Sequence, residues 1–305
     1  MSDILFVIGV GRSGTTLIQG MLNAHPEIYF SKESHFVKKY ISKEVKGNLR
    51  EIRNKEQISK KFSSDVQMID YMDVMEEVLN EVYDQPEKDI KSSEIFLKLL
   101  ERKSGINVRY VGEKDPMNVN FLKEINTAYP NAKILHIIRD PRAVISSRLK
   151  SEWGKGRSLY FHCLEYYYSI QKSIKEGIEY FGKNYFDFRY EDLVDNPEQK
   201  LTEICNFLDL EFDLNMLEYQ KSSENLVRKD EMKWKSNIFR PILSENKEKW
   251  RKELRKRQIS LIELYLGPIL KMLNYKLETQ VKSMSYIIYN YFFIFSVKII
   301  KMING

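Results

Sequence analysis

Apolar and polar positions fall into alternating blocks along this chain. Residues 4–10 (ILFVIGV) form an uninterrupted, largely β-branched apolar run. Such a run suits a central parallel strand that is buried on both faces. A Gly/Ser/Thr turn follows at 11–16, and a helical pattern, LIQGMLNAH, starts at Leu17. Strand, turn and helix in that order open a βαβ unit. The plan recurs at RYVGEKDP, which ends in a charged turn at 113–116. It recurs at KILHIIRDP (133–141), before the helical RAVISSRLK, and at NYFDFRYEDL (184–193), before PEQKLTEICNFL. Alternating strands and helices predict an α/β, three-layer fold with a central parallel sheet flanked by helices.

Two stretches stand apart from that plan. Residues 37–105 read as a mainly helical, polar insert, in which DVMEEVLNEVYD puts Val74, Val78 and Val82 on one face. Residues 281–305 read as a hydrophobic, aromatic tail on a domain spanning 1–280. Within it, residues 284–297 (MSYIIYNYFFIFSV) carry no charge, and Lys298 and Lys301 follow. Fourteen residues fall short of the roughly 20 that cross a bilayer. Two readings stay open: an element docked on the domain or a partner, and an interfacial membrane anchor through 284–303.

The chain has 305 residues, 43% of them hydrophobic, enough for a substantial core. Its formal net charge of +6 hints at an anionic partner. That charge is uneven. Residues 1–246 carry 37 basic and 39 acidic side chains, whereas 247–257 alone hold seven basic and two acidic ones. Cys163 and Cys205 cannot build a disulfide framework and read as inert core thiols. With no CxxC or HExxH spacing, no metal is expected. No basic stretch precedes the first apolar run, so the expectation is a cytoplasmic protein that begins with a buried strand.

The turn after the first strand carries the chemistry. Gly9, Gly11 and Gly14 let several N–H groups converge on one anion, at the start of a helix. Arg12, Ser13, Thr15 and Thr16 add a cation and three hydroxyls. The spacing G-x4-G-T-T is that of a phosphate-binding P-loop, but Thr15 stands where the usual Lys would be. The cation has moved inside the loop, to Arg12. A shorter 5′ anion, bound without Mg²⁺, fits that change better than a nucleoside triphosphate. A P-loop kinase or NTPase and a basic protein that binds nucleic acid or membrane are the alternatives.

GVGRSGTTLIQGMLNAHPEI resembles the 5′-phosphosulfate loop of sulfotransferases that use 3′-phosphoadenosine-5′-phosphosulfate (PAPS), nearest in motif to the carbohydrate and protein-tyrosine branches. The resemblance runs through islands from residue 3 to 255. Arg139, at a strand end, with Ser147 eight residues on, resembles the family's clamp for the 3′-phosphate. Arg189-Tyr190-Glu191-Asp192-Leu193 looks like a motif whose Tyr helps to bind the nucleotide. Lys235-Ser236 and Lys249-Trp250 resemble, with looser spacing, a late loop that closes over it. The resemblance implies a P-loop-type fold, PAPS as donor, 3′,5′-ADP as product and an acceptor hydroxyl.

Sulfuryl transfer needs a base for the acceptor proton and positive charge or donors at the leaving oxygen. Glu33, in SKESHF, is the candidate base, matching a Glu of the related branches; His35 is its rival. Arg12, Lys114 (in GEKDP) and Ser236 are the candidates for charge stabilisation. His25 reads as structural in the His-Pro turn, His136 as a core residue, and His162 belongs to no motif. A carbohydrate or glycolipid is the expected acceptor, with a phenol as the other option. Peripheral membrane contact through the tail is compatible, and nucleic acid is not expected as a partner.

Overall fold

Five strands run in one direction. They are β1 (Asp3–Ile8), β2 (Ile28–Phe30), β3 (Tyr110–Lys114), β4 (Lys133–Ile138) and β5 (Tyr185–Arg189). Their order is β2-β3-β1-β4-β5, and every pairing is parallel. The computed structural model describes residues 2–279 apart from 50, 85–88, 106–107, 153, 222, 227–235, 240 and 243. The uncharged run 284–297 lies outside the described residues, and among those described no helix is long and apolar enough to cross a membrane.

The continuous apolar runs become the central strands for the expected reason. Leu5 to Ile8 have no exposed surface, because helices cover both faces of β1. One face packs against the helical segment 37–105, where Val78 and Val82 are fully buried and Val74 sits at the margin. Helix α1 (Thr15–Asn23) and the helix Pro197–Phe207 cover the other. A third core joins the helices Pro141–Lys150, Leu159–Phe181 and Lys256–Met272 around Trp250.

β2 had no counterpart in the sequence pattern. Its three residues follow the His-Pro turn and are too few to show a period. That turn is held by His25, whose Nε2 lies 2.9 Å from the Glu211 carbonyl oxygen and whose Nδ1 accepts the Glu27 N–H. Both cysteines are buried free thiols, and burial raises the Cys205 pKa to about 11.

Parallel register fixes where the chemistry lies. Val7 pairs with Lys114, Ile8 with His136, and Ile138 with Arg189. The residues that leave the strands, Gly9, Asp115, Arg139 and Tyr190, therefore emerge at one edge of the sheet, where α/β proteins bind ligands. Behind Arg139 lies a buried ionic network. Arg142 pairs with Asp140 at 2.7 Å and Glu263 at 2.6 Å, and stacks 4.2 Å over Trp250. Glu263 also accepts the N–H groups of Glu278 and Thr279.

His136 gives a pH-dependent test of the core. It is fully buried on β4, with Nδ1 2.6 Å from the Tyr185 hydroxyl, and burial lowers its pKa to about 3. The unfolded chain holds this proton up to a pKa of about 6.5. Stability from the neutral imidazole is therefore present above that value and lost as pH falls towards 3. The slope is about 1.4 kcal/mol per pH unit. Urea unfolding of wild type and His136→Gln at pH 7 and pH 5 is expected to show the steeper acid loss in wild type; parallel losses would exclude this role.

Candidate active site

The loop leaving β1 is shaped by its backbone. Ser13 N–H donates to the Val10 carbonyl at 3.0 Å, and both Arg12 (φ 82°) and Gly14 (φ 95°) are left-handed. Gly14 is the N-cap of α1, so the helix starts at Thr15, two residues before the apolar periodicity shows it. A Cβ on Gly14 would come within 2.5 Å of the Tyr190 ring, whereas one on Gly11 would meet nothing nearer than 3.9 Å. The first glycine brings the loop against Tyr190; the second keeps the floor of a cavity bare.

That cavity, about 780 Å³, opens at the carboxyl edge of the sheet. Gly14, Thr15 and Thr16 form one part of its wall, with Arg12, Arg139, Ser147 and Tyr190 beside them. Arg12 Nε donates to Ser147 Oγ at 2.9 Å. Arg139 donates to the carbonyls of Arg12 (3.1 Å) and Asn246 (2.6 Å), and its guanidinium lies 4.2 Å over Tyr190. Glu191 accepts the Asp140 N–H at 3.1 Å and the Tyr275 hydroxyl at 2.7 Å, so the Arg-Tyr-Glu-Asp-Leu segment also fixes the end of β4.

Arg148 joins this group, although no motif assigns it a role. It follows Ser147 on the same helix, donates to the Gly11 carbonyl at 3.3 Å, and pairs with Glu165 at 3.2 Å. Burial lowers the Arg12 pKa, and repulsion from Arg139 and Arg148 lowers it further. Three guanidiniums around one loop form an electropositive pocket, and an anion would relieve their repulsion. Ser13 Oγ and Arg139 Nε are buried and make no hydrogen bond among the described residues. Ser13 itself is fully buried and does not line the cavity.

The opposite wall is built from β3 and the segment after β2. Lys114 is 1% exposed, and its Nζ lies 2.6 Å from Glu33 Oε2. Both line the cavity; His35 does not. His35 has a left-handed backbone (φ 55°), and its Nδ1 lies 2.7 Å from Asp115 Oδ2. Burial alone would lower the His35 pKa; the hydrogen bond and charge of Asp115 outweigh it and raise it. Under this pair, the buried Glu113 carboxyl accepts Ser34 Oγ (2.6 Å), the Phe36 N–H (3.2 Å) and Asn118 Nδ2 (3.1 Å). Burial, with Asp115 beside it, pushes the Glu113 pKa up.

Glu33, His35 and Asp115 offer ligand atoms within 4.8 Å of one another. The Lys114 ammonium on Glu33 makes this a poor place for a cation. The late loop is described in part. Lys249 and Trp250 line the cavity, and the exposed Lys249 lies 3.6 Å from Glu253. A short turn, Ser236–Phe239, brings Ile238 to the wall beside Tyr219. The side chain of Ser236 lies outside the described residues, as does Lys235.

This arrangement has known relatives. The sulfotransferase domain of the curacin biosynthetic pathway superposes with a TM-score of 0.60 at 17% identity, over 91% of this chain and 99% of that one. The sulfotransferase domain of the Synechococcus PCC 7002 olefin synthase gives 0.61 at 20%, over 91% and 97%. Both share the fold. Protein-tyrosine sulfotransferase 2 of Gallus gallus is 25% identical over 222 residues, covering 72% of this chain and 54% of that protein. Protein-tyrosine sulfotransferase A of Caenorhabditis elegans is 28% identical over 233 residues, covering 75% and 54%. The chain thus spans about half the length of these curated relatives. A profile of the sulfotransferase family matches residues 4–214, which hold the phosphate loop, Glu33, Lys114, Arg139 and Tyr190, and the chain belongs to that family.

Proposed function

We propose that this chain moves a sulfuryl group from PAPS to an acceptor hydroxyl, in line, with Glu33 as the base. One observation carries the reading: a single cavity has guanidiniums around a phosphate loop on one wall and a carboxylate held by a lysine on the other. Arg139 Nε, without a hydrogen bond among the described residues, and the bare Gly11 floor fit an anionic nucleotide. PAPS supplies the sulfuryl group, activated by its link to phosphate.

The side chains divide the work by position. The loop 11–16 and Arg12 take the 5′ anion, with the start of α1 behind them. Arg139 and Ser147 take the 3′-phosphate, Tyr190 backs the nucleotide, and Lys249 and Ser236 close the late side. Arg12 and Lys114, with Ser236, offset negative charge on the leaving oxygen. Lys114 also holds the Glu33 carboxylate at the cavity wall. Glu33 takes the acceptor proton as the new O–S bond forms and the old one breaks. His35 is the weaker candidate, because its Nδ1 is engaged with Asp115 and it stands outside the wall. No metal takes part in this scheme.

For the acceptor, the reading from the residues is a carbohydrate or glycolipid hydroxyl. A tyrosine phenol is the second reading, favoured by the names of the relatives from Gallus gallus and Caenorhabditis elegans. The kinase alternative has less support, since Thr15 replaces the P-loop lysine and the matched family transfers sulfate.

Two measurements test this. Calorimetry without Mg²⁺ is expected to show tighter binding of 3′,5′-ADP than of 5′-AMP. Arg139→Ala is expected to cut that preference by about 10- to 100-fold, the worth of charged hydrogen bonds; equal affinity for both nucleotides in wild type would reject PAPS as donor. Transfer of labelled sulfate from PAPS to glycans, glycolipids and tyrosine peptides identifies the acceptor. Glu33→Gln is expected to lower transfer by about 10²- to 10⁴-fold with 3′,5′-ADP binding kept. Retained transfer would remove Glu33 as the base.

A further inference from the structure

The last described segments hold a group of cations that the site does not use. Lys252, Arg255, Lys256 and Arg257 are all exposed, and no carboxylate is placed on them among the described residues. Their neighbours differ: Lys249 lies near Glu253, and Arg251 pairs with Glu278. The helix Lys256–Met272 has no need of this charge. Its first turn holds no acid, and positive charge there opposes the helix dipole. Four unneutralised cations within six residues make a compact basic ridge.

The path of the chain leads to the same place. After Met272 the backbone reverses, with Tyr275 N–H on the Leu270 carbonyl at 2.8 Å. The N–H groups of Glu278 and Thr279 then reach the Glu263 carboxylate, both at 2.8 Å. Glu263 stands nine residues before the helix end, about 13 Å back along the axis. Residues 278–279 thus run back along the helix towards Arg255, Lys256 and Arg257, and Arg251 holds Glu278 there. The chain that continues from this point carries the uncharged aromatic run 284–297, bounded by Lys282 and Lys298.

We infer that the ridge at 252–257 is a docking surface for an anionic membrane, with the tail after Thr279 as its apolar partner. A basic cluster and an apolar segment are the two signals that together give stable, reversible membrane attachment; one alone is marginal. Fourteen uncharged residues are too few to span, since about 20 are required, and suit an interfacial position. Trp250 and Glu253, beside the ridge, line the cavity. Docking therefore sets the cavity wall formed by Trp250 and Glu253 close to the lipid surface. A lipid-borne acceptor hydroxyl then follows, and this last step rests on the transfer reaction proposed above.

Flotation of the full chain with vesicles tests the docking without catalysis. Binding is expected to vesicles of phosphatidylcholine with 30 mol% phosphatidylserine (about a third of the lipid, a strongly anionic surface), and to weaken with salt. Reversing Lys252, Arg255, Lys256 and Arg257 to Glu is expected to weaken it by about 1,000-fold or more, with 3′,5′-ADP binding unchanged. Removing residues 281–305 is expected to weaken it as well, with the ridge intact. Equal binding to pure phosphatidylcholine, no binding to either vesicle, or binding to single-stranded RNA but not vesicles would each overturn the proposal. If flotation succeeds and labelled sulfate fails to transfer, docking stands and the proposed reaction falls.

Discussion

Everything at this site depends on keeping three guanidiniums close together around one loop. Arg12, Arg139 and Arg148 repel one another, and burial makes the repulsion stronger. The fold tolerates this because backbone carbonyls take part of the charge. Arg139 rests on the carbonyls of residues 12 and 246, and Arg148 on that of residue 11. The carbonyls of residues 11 and 12 face these guanidiniums where the loop turns through left-handed backbone at Arg12 and Gly14. The parallel sheet supplies the rest, since its register delivers β1 and β4 to the same edge. Sheet, loop and cations are thus one electrostatic device, poised for an anion.

The opposite wall answers a different constraint. In the proposed reaction the carboxylate that takes the proton must face the cavity, yet it must not swing into the cations across from it. Lys114, almost wholly buried at the end of β3, restrains Glu33. Glu113, one residue earlier, ties down Ser34 and the Phe36 N–H on either side of His35. Adjacent residues of one strand end therefore hold a short loop from below and from within.

The sequence carried the parts of this picture that repeat or that have a fixed spacing. Four of the five strands showed as apolar runs, and the phosphate loop showed as glycines between a strand and a helix. β2 did not, because three residues at a sheet edge have no period to detect. Arg148 was one residue past a recognised position, yet nothing in a linear pattern says which of two neighbouring helix residues turns inward. Glu113 and Glu191 look like ordinary surface acids next to charged neighbours. Only tertiary packing shows that each satisfies backbone and side-chain donors inside the fold. The net charge also gained meaning. A bulk excess of six resolves into a nearly balanced body, a small basic ridge and the three lysines of the tail.

Arg12 adopts backbone geometry that an L-residue with a side chain enters at a cost of about 1–2 kcal/mol. Glycine would sit there without strain, and asparagine nearly so. The position is thus one where stability and activity pull in opposite directions. Drift towards a more robust fold favours losing the guanidinium, and the proposed reaction is what would retain it. A glycine or asparagine at this place in an otherwise intact relative would mark a chain that has kept the architecture and abandoned the reaction.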